Sequence, residues 1–306
     1  MSSRRAYLLV NCATLIWGSN ITLGRFLRAD IGPITLTEIR ILVAAIVFVF
    51  LLRRELRRDF FRGWPLLVLM ALTGIIGFPV LLYWSVHYTT AVNAGLITAV
   101  TPLITLPLAA WLLGDRFGGR QVVGLVVSLV GVALIVGVGA ITLGVNVGDL
   151  VSVVDALVWA LYSIVGRMAM RDRAPLAVTG AAFLLSVPLL LPFAAVEYAA
   201  TPPAWTPQLA LLVLYIGVFP GAVALLCWNS GVRRLGPGGA MAFYNTLPLY
   251  TALMAVLILG EPLRWTHALG GALVIGGGLL AARSANVPVS APTPALSTAT
   301  GSQEGD

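Results

Sequence analysis

The sequence predicts an all-α integral membrane protein, with ten transmembrane helices arranged as two inverted five-helix repeats. Three observations carry that expectation. Of the 306 residues, 59% are hydrophobic and only 10% charged, whereas a soluble domain carries about a quarter charged. Apolar runs of the roughly 20 residues that a helix needs to cross about 30 Å of hydrocarbon recur along the whole chain. The second half also repeats rare residues of the first at nearly constant spacing.

A window of roughly 19 residues places the spans at 6–26, 33–52, 64–86, 90–113, 121–138, 149–166, 176–196, 208–230, 237–259 and 264–282. The segment before the first run is too short, and the run itself too long, for a cleaved signal peptide. It is therefore kept as the first span.

The formal charge of +7 rests on 19 basic residues, all arginine. Their placement follows a membrane rule rather than a nucleic-acid groove. With the N-terminus inside, the cytoplasmic segments hold Arg4, Arg5, Arg53, Arg54, Arg57, Arg58, Arg62, Arg116, Arg120, Arg167, Arg171, Arg173, Arg233, Arg234 and Arg283. The external side holds Arg25, Arg28 and Arg264, and Arg40 lies inside a span. This bias predicts a multi-pass protein of the cell (inner) membrane with both termini cytoplasmic. Cys12 and Cys227 fall inside spans near that reducing side and read as small buried residues rather than a disulfide.

A shift of 142 residues places Trp17, Gly24, Arg25, Asp30 and Pro33 over Trp159, Gly166, Arg167, Asp172 and Pro175. A shift of 146 places Pro102, Gly114, Asp115, Gly124 and Gly131 over Pro248, Gly260, Glu261, Gly270 and Gly277. Five spans per copy is an odd number, so the second copy enters the membrane from the opposite side. The expected organisation is a first repeat over residues 6–138, an external linker over 139–148, a second, inverted repeat over 149–282 and a disordered cytoplasmic tail over 283–306. Inverted repeats recur in secondary transporters, where the solute site lies near the midplane between the copies.

The run Leu15-Ile16-Trp17-Gly18-Ser19-Asn20, the spacing from Ala91 to Pro102, and Leu113-Gly114-Asp115-Arg116 resemble the EamA-type repeat of the drug/metabolite transporter superfamily. The second copy, with Pro248 followed by Leu259-Gly260-Glu261-Pro262-Leu263, is nearer still, and Asp115 is a mild departure from the Leu-Gly-Glu pattern. The resemblance covers residues 6–282. It implies two five-helix bundles and export of amino acids or small organic compounds, in the manner of the YddG-type exporters of aromatic amino acids.

Several residues are candidates for that task. Pro79, Pro102, Pro107, Pro220 and Pro248 lie inside spans, where each removes a helical hydrogen bond and favours a kink. Pro79, Pro102, Pro220 and Pro248 are the expected hinges, Pro102 and Pro248 being equivalent in the two copies. Trp17, Asn20, Tyr83, Trp159, Tyr162, Asn229, Tyr244 and Asn245 fall at mid-depth and are expected to line a solute cavity, the amides meeting polar ends and the rings an apolar or cationic body. Trp17, Trp159 and Tyr244 are too far from helix ends for an interfacial belt; Tyr83, Trp84 and Trp228 lie near enough for that reading to stay open. Asp155 is the deepest acid. It suits either a substrate ammonium and proton exchange or a helix tie. Arg25, Glu38, Arg40 and Arg167 read first as structural anchors. His87 and His267 carry no assigned role. The small-residue faces Gly124-x-x-x-Ser128 and Ala268-x-x-x-Ala272-x-x-x-Gly276 are suited to close packing, within the chain or between two copies.

An intramembrane enzyme would need a catalytic constellation that two histidines and no nucleophile turn do not supply. A pump would need a Gly-x-x-x-x-Gly-Lys loop, and the chain has no lysine. The expected protein is a secondary transporter without cofactor or metal, a monomer or homodimer in the lipid bilayer, acting on a small-molecule substrate. An uncoupled facilitator or channel stays open as the alternative.

Overall fold

The computed structural model describes residues 3–53, 60–98, 100–113, 119–143, 146–244 and 246–283. Among these, seven helices are long and apolar enough to cross a membrane: Arg4–Ala29, Pro33–Leu52, Trp64–Tyr88, Ala91–Leu112, Val147–Ala169, Pro175–Ala200 and Pro207–Leu235. The shorter apolar helices Val122–Gly131, Leu247–Leu259 and Trp265–Leu280 complete ten. In chain order these are spans one to ten. The first of the three shorter helices belongs to Gly119–Leu143, which is span five. Spans two, three, seven and eight each carry proline in their first turn, where its missing N–H has no helical partner to lose. Spans six and eight are capped by side chains, Asn146 accepting from the Gly148 N–H and Thr206 from the Leu209 N–H.

The two copies share their irregularities. Span three contains a π-helical segment at Ala71–Gly77, and span eight contains one at Gly217–Val223, its equivalent at the shift of 146. Span four ends one helix at Thr98 and resumes at Thr101; span nine breaks after Tyr244 and resumes at Leu247, again 146 residues on. Pro102 and Pro248 are the second residues of the resumed helices. Pro79 opens the α-helix that follows its π segment, and Pro220 lies within the other. Spans eight and nine follow one another with helical residues throughout Ala224–Tyr244, and the chain reverses between them: the Trp228 and Tyr244 rings lie 5.4 Å apart, where a straight helix would hold these positions about 24 Å apart.

Packing obeys the same pseudo-symmetry. Span one lies on spans eight and nine, and its equivalent, span six, lies on spans three and four. Spans two and seven, four and nine, and five and ten each meet their own counterpart. Exchanging the copies therefore maps the interface onto itself, as two inverted repeats require. Spans five and ten approach closely: a Cβ on Gly277 would lie 2.8 Å from the Ser128 N, and the Ser128 hydroxyl donates to the Val274 carbonyl at 2.9 Å. The expected small-residue face of span five is used here. That of span ten is not: Ala268, Ala272 and Gly276 are exposed, and Gly277 and Val274 on the neighbouring face make the contact. Cys12 is likewise exposed rather than buried.

Candidate functional site

At the interface of the repeats lies a cluster of fully buried rings. Trp17 of span one meets Trp159 of span six edge-on, with centroids 5.0 Å apart and planes at 83°. This pair is related by the repeat. Trp228 of span eight is 5.5 Å from Trp17 and 5.4 Å from Tyr244, the last residue before the break in span nine. Phe78 and Tyr162 flank Trp159 at 4.7 and 4.8 Å. Trp228 is thus part of the cluster, and the belt reading left open for it is wrong; Trp84 by contrast is 38% exposed and packs on Tyr88. Phe78 was missed by sequence reasoning.

The amides and phenols form two matched ties. The Tyr83 hydroxyl donates to the Asn20 side-chain oxygen at 2.7 Å. In the second copy, the Asn229 amide donates to the Tyr162 hydroxyl at 2.9 Å and to the Thr179 hydroxyl at 2.7 Å. Asn20 and Tyr162 are equivalent positions, as are Tyr83 and Asn229. The same inter-helix hydrogen bond is therefore built twice with its partners exchanged. These four residues lie beside the rings, with polar atoms engaged in ties between helices. Asn245 lies outside the described residues.

Other polar atoms in the cluster have no partner among the described residues. Both carboxyl oxygens of Asp155, the indole nitrogens of Trp159 and Trp228 and the Tyr244 hydroxyl are buried and unbonded. Asp155 is 1% exposed, one helical turn before Trp159, and within electrostatic reach of the Tyr244 hydroxyl. The Trp17 indole is different: it donates to the Pro220 carbonyl at 3.2 Å. That oxygen is free because the Ala224 N–H reaches back five residues to Phe219. The following α-helical register skips Pro220.

Arg40 of span two reaches the same carbonyl at 3.3 Å. It is buried, and so is Glu38, whose oxygens have no partner among the described residues. One end of the helix bundle is joined by a separate network. Glu261 accepts from the Ala91 and Val92 N–H groups at 3.0 Å and lies 3.8 Å from Arg25. Arg25 donates to the Val86 carbonyl at 2.6 Å, and Asp149 accepts from Thr89 and Asn93. Arg25 is an anchor, as expected, and so are the histidines: His87 Nδ1 bonds the Tyr83 carbonyl and His267 Nδ1 accepts from the Arg264 N–H. Among the described residues no cluster fit to hold a metal is present.

Comparison with known proteins agrees with this architecture. The EamA-like transporter family pattern matches residues 4–137 and 146–283, one match per repeat. The chain belongs to the EamA-like transporter family. Family relatives include the uncharacterized transporter YyaM of Bacillus subtilis, 25% identical over 94% of this chain and 97% of that one. A probable terminal-alkyne amino-acid exporter of Streptantibioticus cattleyicolor is 29% identical over 73% of this chain and 75% of its own. A crystal structure at 22% identity covers 94% of this chain and 100% of that one with a TM-score of 0.66, which shows a shared fold. A multi-pass membrane transporter follows from the family and the apolar helices together.

Proposed function

We propose that this transporter exports amino acids, aromatic ones among them, or related small organic metabolites by alternating access, in exchange for protons. The observation that carries the reading is Asp155: a carboxyl group 1% exposed, without a donor among the described residues, beside a ring cluster at the repeat interface. A buried carboxylate is costly unless it is protonated or meets a cation. Proton and substrate ammonium then satisfy it in turn, never together, and this exclusion is the physical basis of exchange. Rings around it supply the apolar and cation–π surface for the rest of the solute.

The closed external network of Arg25, Glu261 and Asp149 defines one end state. The breaks before Pro102 and Pro248 and the π segments at Pro79 and Pro220 are the bending points that interconvert the end states. The arginine bias places both termini in the cytoplasm of an inner-membrane protein, and one chain supplies both halves of the site. Amino-acid export also fits the S. cattleyicolor relative named above.

The test is a proteoliposome flux screen with amino acids, nucleosides and organic cations, with and without a pH gradient. Amino-acid flux driven by the gradient, and weakened by Trp17→Ala and Trp159→Ala in folded protein, supports the proposal. Equilibration indifferent to the gradient leaves an uncoupled facilitator, and unchanged flux in both variants removes the site.

A further inference from the structure

Part of the ring cluster is built in duplicate, but two of its polar groups occur once. Trp17 and Trp159 are equivalent, and so are the two ties between helices. Asp155 and Tyr244 have no such counterparts: the shift of 142 sets Ala13 against Asp155, and the shift of 146 sets Thr98 against Tyr244. The Thr98 hydroxyl is spent within its own helix, on the Ala94 carbonyl at 2.6 Å. An acid and a phenol confined to one copy do not belong to the shared scaffold.

Tyr244 is the last helical residue before the break in span nine, and its ring lies parallel to that of Trp159, with planes at 18° and centroids 6.2 Å apart. Asp155 and Trp159 are four residues apart and share a face of span six, so Tyr244 packs on the face that carries the acid. Both Asp155 oxygens and the Tyr244 hydroxyl are buried and unbonded among the described residues. The hydroxyl also lies beside that of Thr101 without completing a hydrogen bond, and the Asp155 carboxyl acts on it more strongly than Thr101 does. Thr101 is the first residue of the helix that resumes span four. It donates to the Thr98 carbonyl at 2.6 Å, which leaves its own oxygen free to accept. The Tyr244 O–H therefore has two acceptors beside it, one on span six and one at the break of the counterpart span. Other ionisable groups at the cluster are engaged elsewhere: Tyr83 with Asn20, Tyr162 with Asn229, and Arg40 with the Pro220 carbonyl and beside Tyr83. Among the described residues no cation and no second carboxylate stands beside Asp155.

We propose that Tyr244 couples the two movements: its hydroxyl locks the empty, charged carrier by donating to Asp155, and releases it by turning to Thr101 once a proton or a solute cation neutralises the carboxyl. This rests on the exchange reading above and adds the step that forbids leak. A buried carboxylate without a counter-ion is the strongest acceptor at the cluster, so in the empty carrier the end of the first helix of span nine is tied to span six. Bending at the break would strip the charge of its donor and lose a charge-assisted hydrogen bond. Neutralisation makes Asp155 an ordinary acceptor and removes that penalty. The breaks in spans four and nine, then joined through Tyr244 and Thr101, bend together. An exchanger needs such a rule, because a carrier that returns empty dissipates the gradient.

The experiment uses proteoliposomes with radiolabelled phenylalanine as the probe. Tyr244→Phe keeps the ring and removes a hydroxyl that makes no hydrogen bond among the described residues, so exchange of phenylalanine for phenylalanine is expected to hold within about twofold. Net efflux into phenylalanine-free buffer, alkaline on both sides so that few protons are at hand, is expected to rise about ten- to 150-fold, the factor set by losing a hydrogen bond to a charged group. Accumulation driven by an imposed pH gradient is expected to vanish in the same variant. Thr101→Val, which takes away the alternative acceptor, is expected to slow exchange and reads the switch independently of Tyr244→Phe. Coupled accumulation that survives in folded Tyr244→Phe, with no rise in alkaline efflux, overturns the lock and leaves Asp155 as an exchange site. Undiminished exchange in Thr101→Val does the same. Absence of gradient-driven accumulation by the unaltered protein refutes the exchange reading itself, and the lock falls with it.

Discussion

Replacing Asp155 by asparagine keeps the volume and removes the charge. Asp155 is 1% exposed and no described donor reaches its oxygens, so the folded protein loses no hydrogen bond and its melting temperature is expected to hold. The solute loses a charge-assisted hydrogen bond, worth about 1.5–3 kcal/mol. At about 1.4 kcal/mol per tenfold, phenylalanine affinity falls roughly ten- to 150-fold. The amide cannot exchange a proton for an ammonium, so the response of flux to an imposed pH gradient disappears as well. Reconstituted protein with radiolabelled phenylalanine measures both effects. Affinity within about twofold of the unaltered protein, together with an undiminished response to the gradient, would refute the exchange logic.

Two further outcomes follow from the packing. Glu261→Ala removes the acceptor for the Ala91 and Val92 N–H groups and the partly exposed pair with Arg25, about 1–2 kcal/mol in all. This shifts the balance toward the outward-open state roughly five- to 30-fold. In a Cys12→Ser, Cys227→Ser background, faster external labelling of Thr22→Cys checks it, and an unchanged rate counts against the external network as a closure. Gly277→Ala, whose Cβ would lie 2.8 Å from the Ser128 N, is expected to lower the melting temperature, whereas Gly276→Ala, facing open space, keeps or raises it. Equal effects at the two positions would show that spans five and ten are not in close contact.

The fold is legible in the sequence because hydrocarbon thickness fixes span length and because the copies keep rare residues in step. Legibility extends to detail: the shift of 146 read from Pro102 and Pro248 also relates the π segments and the helix breaks. Trp17, Trp159 and Tyr244 are legible as rings turned into the protein, and all three are buried. Trp228 was not, because two residues from the expected helix end it reads equally well as an interfacial ring, and only its packing against Trp17 and Tyr244 decides. The Asn20–Tyr83 and Tyr162–Asn229 ties are hidden because the copies exchange the two residue types, which an identity match does not register. The setting of Arg40 depends on a carbonyl released by a π turn at Pro220, and no hydrophobic periodicity reports such a turn.

Opposed threading of the two copies underlies every step from fold to site. Asp30 and Asp172 are exposed equivalents in the turns after spans one and six. Placed as single cysteines in the Cys12→Ser, Cys227→Ser background, they are to be labelled in intact cells with a membrane-impermeant maleimide. Labelling of Asp30→Cys from outside, with Asp172→Cys reached only after permeabilisation, is the predicted result. Labelling of both from the same side would contradict the account.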